Sequence, residues 1–459
     1  MTKYDVMVIG SGAGAIVAEN ALNHGLSVAL VDKGPLGGTC LNLGCIPSKM
    51  LVYPADRIVE IEQAKKFGIH AEIRDIDFSA IMERMRTKVR SGEQHVRETI
   101  KLSDTLDFYE GEGSFVADST LEVKGKKISA KKIFIAAGAR PVIPEGLGLE
   151  GVGYLTNESV LGLKERPVSM IILGGGYIAA EYGHFFAAMG TKVTVLQRNK
   201  RLLPQEEPEL GDLLLEEMRK RMDIITGTEV VRVRAVEGGC LATGKETLSG
   251  KTTEFPAQTI LVVAGRRSNA DLLRVDKTGV ETDGRGFIKV DAYLRTNKEN
   301  IWAFGDIIGK EMFRHVANRE ASVVFNNAVH GSKQKMDYSA APHAVFTYPE
   351  IASVGLREEE AVAQYGPGSV LVGRADYSDV AMGDAMLEGA GFAKSIVNRK
   401  TGNILGFHII GPYASILVQE VINAMASGGD IRMLALGMHI HPALPEVIQA
   451  AFSNLREVS

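Results

Sequence analysis

The sequence predicts an α/β chain in which one strand–glycine turn–helix–strand unit occurs twice, followed by an α+β block. Three observations carry that prediction. The apolar run at residues 4–9 leads into Gly10-Ser11-Gly12-Ala13-Gly14-Ala15, then a helical stretch, then a second apolar run at residues 27–31 ending in Asp32. The same order recurs where residues 169–173 lead into Gly174-Gly175-Gly176-Tyr177-Ile178-Ala179, a helical stretch, and residues 192–196 ending in Gln197. Finally, the chain's last part turns to strand-like segments at 344–347, 391–397 and 404–410, then helical ones at 414–426 and 443–454. A glycine turn between a strand and a helix, inside a βαβ unit, is the pattern of a dinucleotide-binding, Rossmann-like domain. Two copies predict two dinucleotides. The first unit falls in residues 1–147 and the second in 148–268. Residues 269–338 include the strand-like 301–304 ending at Gly305-Asp306, and residues 339–459 form the α+β block.

Composition narrows the function. In 459 residues, 45% are hydrophobic and 24% charged, and the net charge is −4. That mix is globular, and the charge balance favours neither nucleic acid nor an anionic membrane. Apolar runs are too short to span a bilayer, and the N-terminus enters a strand directly, without the pattern of a leader peptide. Three cysteines cannot build a disulfide framework, so the expected location is a reducing cytoplasm and any paired cysteine there is redox-active or metal-binding.

The first glycine turn, Gly10, Gly12 and Gly14, lets a pyrophosphate approach the backbone at a helix N-terminus, and Asp32, 22 residues after Gly10, is placed for ribose hydroxyls. Ala15 replaces the third glycine of the fingerprint. The most specific segment is Gly37-Gly38-Thr39-Cys40-Leu41-Asn42-Leu43-Gly44-Cys45-Ile46-Pro47-Ser48-Lys49. Its two cysteines, five apart, are expected on one side of a helical turn, close enough for a small disulfide ring. A helix N-terminus there would favour a thiolate. A metal site is the alternative; it needs two further soft ligands, and Cys240 alone does not complete one.

This segment resembles the redox-disulfide motif of the flavin-dependent, class I pyridine nucleotide–disulfide oxidoreductases, nearest their dihydrolipoamide dehydrogenase branch. The resemblance runs through both glycine turns, Ile135-Ala136-Ala137-Gly138, Val263-Ala264-Gly265-Arg266-Arg267, Gly305-Asp306 and the C-terminal block. It implies that residues 1–147 and 269–338 bind FAD, that 148–268 bind NAD(P), and that 339–459 form a dimerisation domain. It implies that Cys45 lies against the flavin while Cys40 exchanges with substrate. Lys49 and Glu181 match a charge pair near flavin N5, and Asp306 matches the acid on the ribityl chain. Lys33, Gly38, Thr39, Ala137, Gly138, Gly305 and Ala317 complete the expected flavin contacts. The segment Arg314-His315-Val316-Ala317 resembles a helix start facing the flavin pyrimidine ring. In His439-Ile440-His441-Pro442-Ala443-Leu444-Pro445-Glu446, His441 and Glu446 resemble an acid–base pair donated across a homodimer, so that two chains share each site. The family commonly has threonine and serine where this chain has Ala443 and Pro445. His439 is expected to be structural, as is Cys240; His24 and His95 are expected at the surface.

Gly174, Gly176, Tyr177, Ile178, Gly265, Gln197 and Arg198 are the expected nicotinamide-dinucleotide contacts, with Tyr177 covering the flavin until the nicotinamide arrives. A carboxylate at position 197 would bond the ribose 2′-hydroxyl and repel a 2′-phosphate. Gln197-Arg198-Asn199-Lys200-Arg201 instead favours NADP(H), although Pro204 stands where NADPH-linked reductases place a second arginine. The expected activity is oxidation of a dihydrolipoyl dithiol, free or on a carrier protein, through Cys40–Cys45 and FAD to NAD(P)+. NADPH-driven reduction of another low-molecular-weight disulfide is the alternative. Mercuric reductases add a C-terminal cysteine pair that this chain lacks, its last cysteine being Cys240. A purely redox-sensing or scaffold flavoprotein would not need Cys40, Cys45, Lys49, Glu181, His441 and Glu446 together.

Overall fold

Parallel strands covered on both faces must be apolar throughout, and the runs at Val6–Ile9 and Met170–Leu173 are: Val6, Met7, Val8, Met170, Ile171 and Ile172 are wholly buried. In the computed structural model, which describes residues 2–458, each run is the middle of its own sheet. In the first sheet, Thr2–Ile9 lies parallel between Val28–Asp32 and Lys126–Ile135, and Leu106–Glu110 extends it beyond Val28–Asp32. In the second, Ser169–Leu173 lies parallel between Lys192–Leu196 and Thr259–Val262, with Asp223–Ile225 and Leu155–Thr156 at the edges.

Ile301–Ala303 pairs with Lys126–Ile135. A segment late in the chain thereby completes the first sheet and delivers Gly305-Asp306 to it. The third layer is a six-stranded antiparallel sheet running Pro342–Val345, Glu350–Gly355, Ile404–Gly411, Phe392–Asn398, Val370–Asp376 and Arg456–Glu457. Three of its strands, Glu350–Gly355, Val370–Asp376 and the two-residue Arg456–Glu457, have no counterpart in the sequence reading. The strand expected at 344–347 begins two residues earlier, and the last helix is shorter than expected, Glu446–Ser453. Also unanticipated are the 24-residue helix Phe78–Lys101 and the antiparallel sheet of Thr228–Val236, Gly239–Glu246 and Thr252–Ala257. No helix among the described residues is long and apolar enough to cross a membrane.

The two nucleotide-type units meet through one helix pair. Leu51, Ala55 and Ile58 of helix Cys45–Gln63 share a buried cluster with Ala179, Tyr182, Phe185 and Phe186 of helix Tyr177–Ala188. Burying one large apolar side chain stabilises by roughly 1.5–3 kcal/mol, so this cluster fixes the helix that starts at Cys45 against the helix that starts at Tyr177.

Both units turn from strand to helix in the same way. Gly10 (φ +107°) presses on a neighbouring strand so closely that a Cβ would lie 2.3 Å from the Ala136 carbonyl oxygen, and at Gly174 (φ +132°) it would lie 2.5 Å from that of Val263. Gly38 (φ +72°) comes so near Gly12 that a Cβ would sit 2.6 Å from the Gly12 Cα. Gly38→Ala should therefore cost about 1–3 kcal/mol in strain and lower Tm by several degrees. Gly151→Ala, at an open position of ordinary φ, should leave Tm unchanged; thermal denaturation of the two variants side by side checks this.

Candidate active site

The cysteines do not share one helical turn, as their spacing had led us to expect. Leu43 and Gly44 break the helix, so Cys40 sits in the short helix Gly38–Asn42 and Cys45 opens the helix Cys45–Gln63. Asn42 holds the first piece in place by donating to the carbonyls of Leu36 (2.8 Å) and Gly38 (3.0 Å). Both thiols are free, and a hydrogen bond joins them. Their titrations are pulled apart. The bond from Cys40 and the nearby Lys49 cation bring Cys45 down to about 7 against the cost of burial, and Glu181 opposes. Cys40 is pushed well above the usual thiol range by its bond to Cys45 and by burial, with Arg314 and Lys49 opposing. Cys45 is thus the sulfur of the pair whose ionisation its surroundings favour, at the positive end of a 19-residue helix.

Lys49 and Glu181, 132 residues apart, meet with both carboxylate oxygens 2.8 Å from Nζ. Glu181 is buried and also accepts the Phe346 amide at 3.2 Å, while Lys49 lies 4.2 Å from the centre of the Phe346 ring. Tyr177, first residue of the helix after the second glycine turn, is half-buried. Burial raises its phenol pKa, and the charges acting on it are those of Arg266, Asp306, Glu181 and Cys45. The helix after the second glycine turn and the cysteine pair therefore converge on one place.

The first glycine turn, through Gly12 against Gly38, and the Gly305-Asp306 turn, whose Asp306 charge acts on Tyr177, reach the same place. The Asp32 carboxylate accepts the amides of Ser11 (2.6 Å) and Gly34 (2.7 Å), so it shapes the turn itself while keeping acceptor capacity for a ribose. Lys33 is exposed and paired with Glu112 at 3.2 Å. Asn269 donates to the Ala137 carbonyl at 2.7 Å, and its amide donates to Gly138 O at 3.2 Å, which fixes the Ala137-Gly138 bend. The Gly305 amide donates to Glu320 at 2.6 Å, and Tyr338 donates to the same carboxylate at 2.6 Å. Ala317 is buried beside Gly305, and Thr39 follows Gly38 at the contact with Gly12.

Asp306 is half-buried, and its desolvation raises its pKa against the opposing Arg266 cation 3.7 Å away. Arg266 donates to the Ala139 carbonyl, yet its buried Nε has no hydrogen-bond partner. A half-buried carboxylate beside an unpartnered buried donor suits a polyhydroxyl chain that both gives and accepts hydrogen bonds, and the glycine cradle at Gly12 suits a pyrophosphate. These residues fit FAD. Sequence reasoning named Asp306 but gave Arg266, Glu320 and Asn269 no role; only the quoted Gly265-Arg266 motif pointed their way.

At the second cradle, Gln197 is not turned outward. It is buried beneath the turn, where a Cβ on Gly175 would strike its Cδ at 2.6 Å, and its amide donates to the Arg201 carbonyl at 3.3 Å. Arg198 is 71% exposed, its nearest carboxylate Glu229 at 3.9 Å. Gly176 is open, Ile178 is half-buried, and the Gly265 carbonyl accepts the Val142 amide at 2.9 Å.

The C-terminal pair is formed within one chain: His441 Nδ1 lies 2.9 Å from Glu446 Oε1, and the Ala443 amide donates to Oε2 at 3.0 Å. That amide and His441 together lower the Glu446 pKa. Position 443 thus serves through its backbone N–H, which alanine retains. The His441 side chain is 73% exposed, and Leu436, Met438 and Ile440 beside it are exposed apolar residues. His439 is held by Glu420 at 2.9 Å, and Cys240 is buried in a strand; His24 and His95 are exposed.

Comparison with known proteins places this geometry. The family model described as pyridine nucleotide-disulphide oxidoreductase matches residues 4–321, and the dimerisation-domain model of the same family matches residues 341–452. The chain is 36% identical to a mycothione reductase of Mycobacterium tuberculosis, over 99% of this chain and 100% of that one. It is 35% identical to a dihydrolipoyl dehydrogenase of Chlamydia trachomatis, over 97% and 95%. Among solved structures it is similar to the HOCl-induced flavoprotein disulfide reductase RclA of Escherichia coli, with a TM-score of 0.86 and 28% identity over 98% and 99% of the two chains. The chain belongs to the class I pyridine nucleotide-disulphide oxidoreductases, a family that uses FAD and a pyridine nucleotide and pairs through its C-terminal domain.

The Lys49 charge makes a checkable difference. Lys49→Met removes a cation that favours the Cys45 thiolate, so the midpoint of Cys45 alkylation in the reduced protein should rise from about 7 by about one pH unit. Glu181→Gln should move it the other way, since Glu181 opposes the thiolate. Iodoacetamide labelling across pH, followed by peptide mass spectrometry, reads both.

Proposed function

We propose that this member of the family passes an electron pair between a small dithiol–disulfide couple and NADP(H), with Cys40 as the exchanging sulfur and Cys45 as the sulfur beside the flavin. The observation that carries this reading is the placement of Cys45 at the first position of a 19-residue helix, with Lys49 one turn on and held by Glu181, while Cys40 sits in the preceding short helix. Bound FAD supplies the two-electron step between sulfur and nicotinamide. The protein supplies everything else. A substrate thiolate attacks Sγ of Cys40 in the oxidised pair, forming a mixed disulfide and releasing Cys45 as thiolate. The second substrate thiolate displaces Cys40, leaving substrate oxidised and the pair reduced. His441, oriented by Glu446, accepts the substrate's proton. It is exposed in a single chain, amid apolar residues suited to cover by a second copy. That supports a site shared across the homodimer. Lys49 holds positive charge on the Cys45 side, and Tyr177 shields the flavin face until the nicotinamide enters.

The first reading of the couple is a dihydrolipoyl group, free or on a carrier protein, which donates the electrons. A second reading has a specific observation behind it. Exposed Arg198, only loosely paired with Glu229 at 3.9 Å, stands next to a buried, uncharged Gln197, so a 2′-phosphate meets a guanidinium and no carboxylate at position 197. That favours NADPH as electron donor and a low-molecular-weight disulfide as acceptor. The cytoplasm is the compartment in which this chemistry runs.

Initial rates decide between them. Dihydrolipoamide should be oxidised with NAD+ or NADP+ under the first reading; NADPH oxidation driven by a low-molecular-weight disulfide, without lipoamide turnover, supports the second. In either case Arg198→Glu should lower kcat/KM for NADP(H) about tenfold or more relative to NAD(H). His441→Gln should cut turnover by about 10²–10⁴ while leaving flavin reduction by nicotinamide intact.

A further inference from the structure

A buried ion pair outside the cysteine site ties the second nucleotide cradle to the C-terminal layer. His343, in strand Pro342–Val345, holds Glu206 at 2.7 Å, and Ser353 donates to the other carboxylate oxygen at 2.9 Å. Glu206 is almost fully buried. Burial alone would neutralise it, but the His343 and Ser353 bonds outweigh that and keep its pKa low. Burial likewise disfavours the His343 cation, yet Glu206 and the charge of Glu311 raise its pKa. His408, the other titratable group near Glu206, is itself pushed down by burial. Each partner thus favours the charged form of the other.

What the pair holds is aromatic. The His343 ring is stacked on Phe313, with centroids 5.5 Å apart and planes 8° apart. On Phe313 a second imidazole, His315, is also stacked at 5.7 Å and 9°, anchored by its bond to the Pro342 carbonyl at 2.7 Å. Phe313 in turn meets Tyr177 at 5.9 Å. The other end of the connection returns to the same place. The Glu206 amide donates to Leu203 O at 3.0 Å, and the Leu203 amide donates to Gly175 O at 2.8 Å, two residues before Tyr177. These contacts form a chain, Gly175–Leu203–Glu206–His343–Phe313–Tyr177, that starts and ends at the second glycine turn and the helix after it.

We propose that Glu206 and His343 are positioning residues for the nicotinamide step: the pair seats Phe313 against Tyr177 and so sets how readily Tyr177 yields to the nicotinamide ring. This rests on the reading above that Tyr177 covers the flavin. While Tyr177 is held closed, only a fraction of molecules can admit the nucleotide, and apparent affinity falls by that fraction. Releasing Phe313 raises the fraction.

Anaerobic stopped-flow reduction of the FAD-loaded protein, with NADPH and NADH run in parallel, separates apparent Kd from the limiting rate. His343→Gln should tighten the apparent Kd about two- to tenfold, the range of one aromatic contact, and change the limiting rate less than twofold. Glu206→Gln, isosteric and still able to meet Ser353, should act in the same direction and guards against a folding defect in the first variant. In a Tyr177→Ala background His343→Gln should have no further effect. An unchanged Kd in both single variants overturns the proposal, as does an effect of His343→Gln that persists undiminished without Tyr177. If neither nucleotide reduces the wild-type flavin, the reading on which it rests has failed instead.

Discussion

The contact on which the rest depends is the packing of helix Cys45–Gln63 against helix Tyr177–Ala188. One helix begins at a reactive sulfur and the other at the end of the second glycine turn. Their shared core of Leu51, Ala55, Ile58, Phe185 and Phe186 sets the distance between the two chemistries. The Lys49–Glu181 pair crosses the same seam, but with Lys49 36% exposed its role in stability is modest beside that core. Its consequence is electrostatic: a cation held by a buried carboxylate, close enough to Cys45 to favour the thiolate. Packing fixes the geometry, and the ion pair sets the charge within it.

The two glycine turns show one solution used twice and then diverging. Gly10 and Gly174 press on neighbouring carbonyls in the same way, because a strand that turns at once into a helix beside another strand leaves no room for a Cβ. The divergence lies at the ends of the following strands. Asp32 grips its own turn through two backbone amides. Gln197 is folded under Gly175, leaving Arg198 in solvent. The shared part suits the pyrophosphate common to both nucleotides, and the divergent part is where they can be told apart.

The paired nucleotide-type units were legible because fully buried parallel strands leave continuous apolar runs, and glycine turns punctuate them. Strands Glu350–Gly355 and Val370–Asp376 were not, since each apolar run is short and broken, by Ser353 in the first and by Gly373 and Arg374 in the second. The helix Phe78–Lys101 was missed because it buries only Phe78, Met82 and Met85. Cysteine spacing could not reveal the break at Leu43-Gly44, as a five-residue interval fits either one turn or two helices. Within the site, the resemblance supplied Lys49–Glu181 and His441–Glu446. The Glu206–His343 pair, 137 residues apart, left no local signal, because an ion pair of that separation is written only in the fold.

The central claim is that Cys45, and not Cys40, carries the thiolate beside the flavin. Its most direct test is the visible spectrum of the FAD-loaded protein after one equivalent of dithiol is added without oxygen. The account predicts a new long-wavelength absorbance that is lost in Cys45→Ser and present in Cys40→Ser once that variant's remaining thiol is ionised. A band that survives Cys45→Ser and vanishes in Cys40→Ser would reverse the assignment of the two sulfurs and contradict the account.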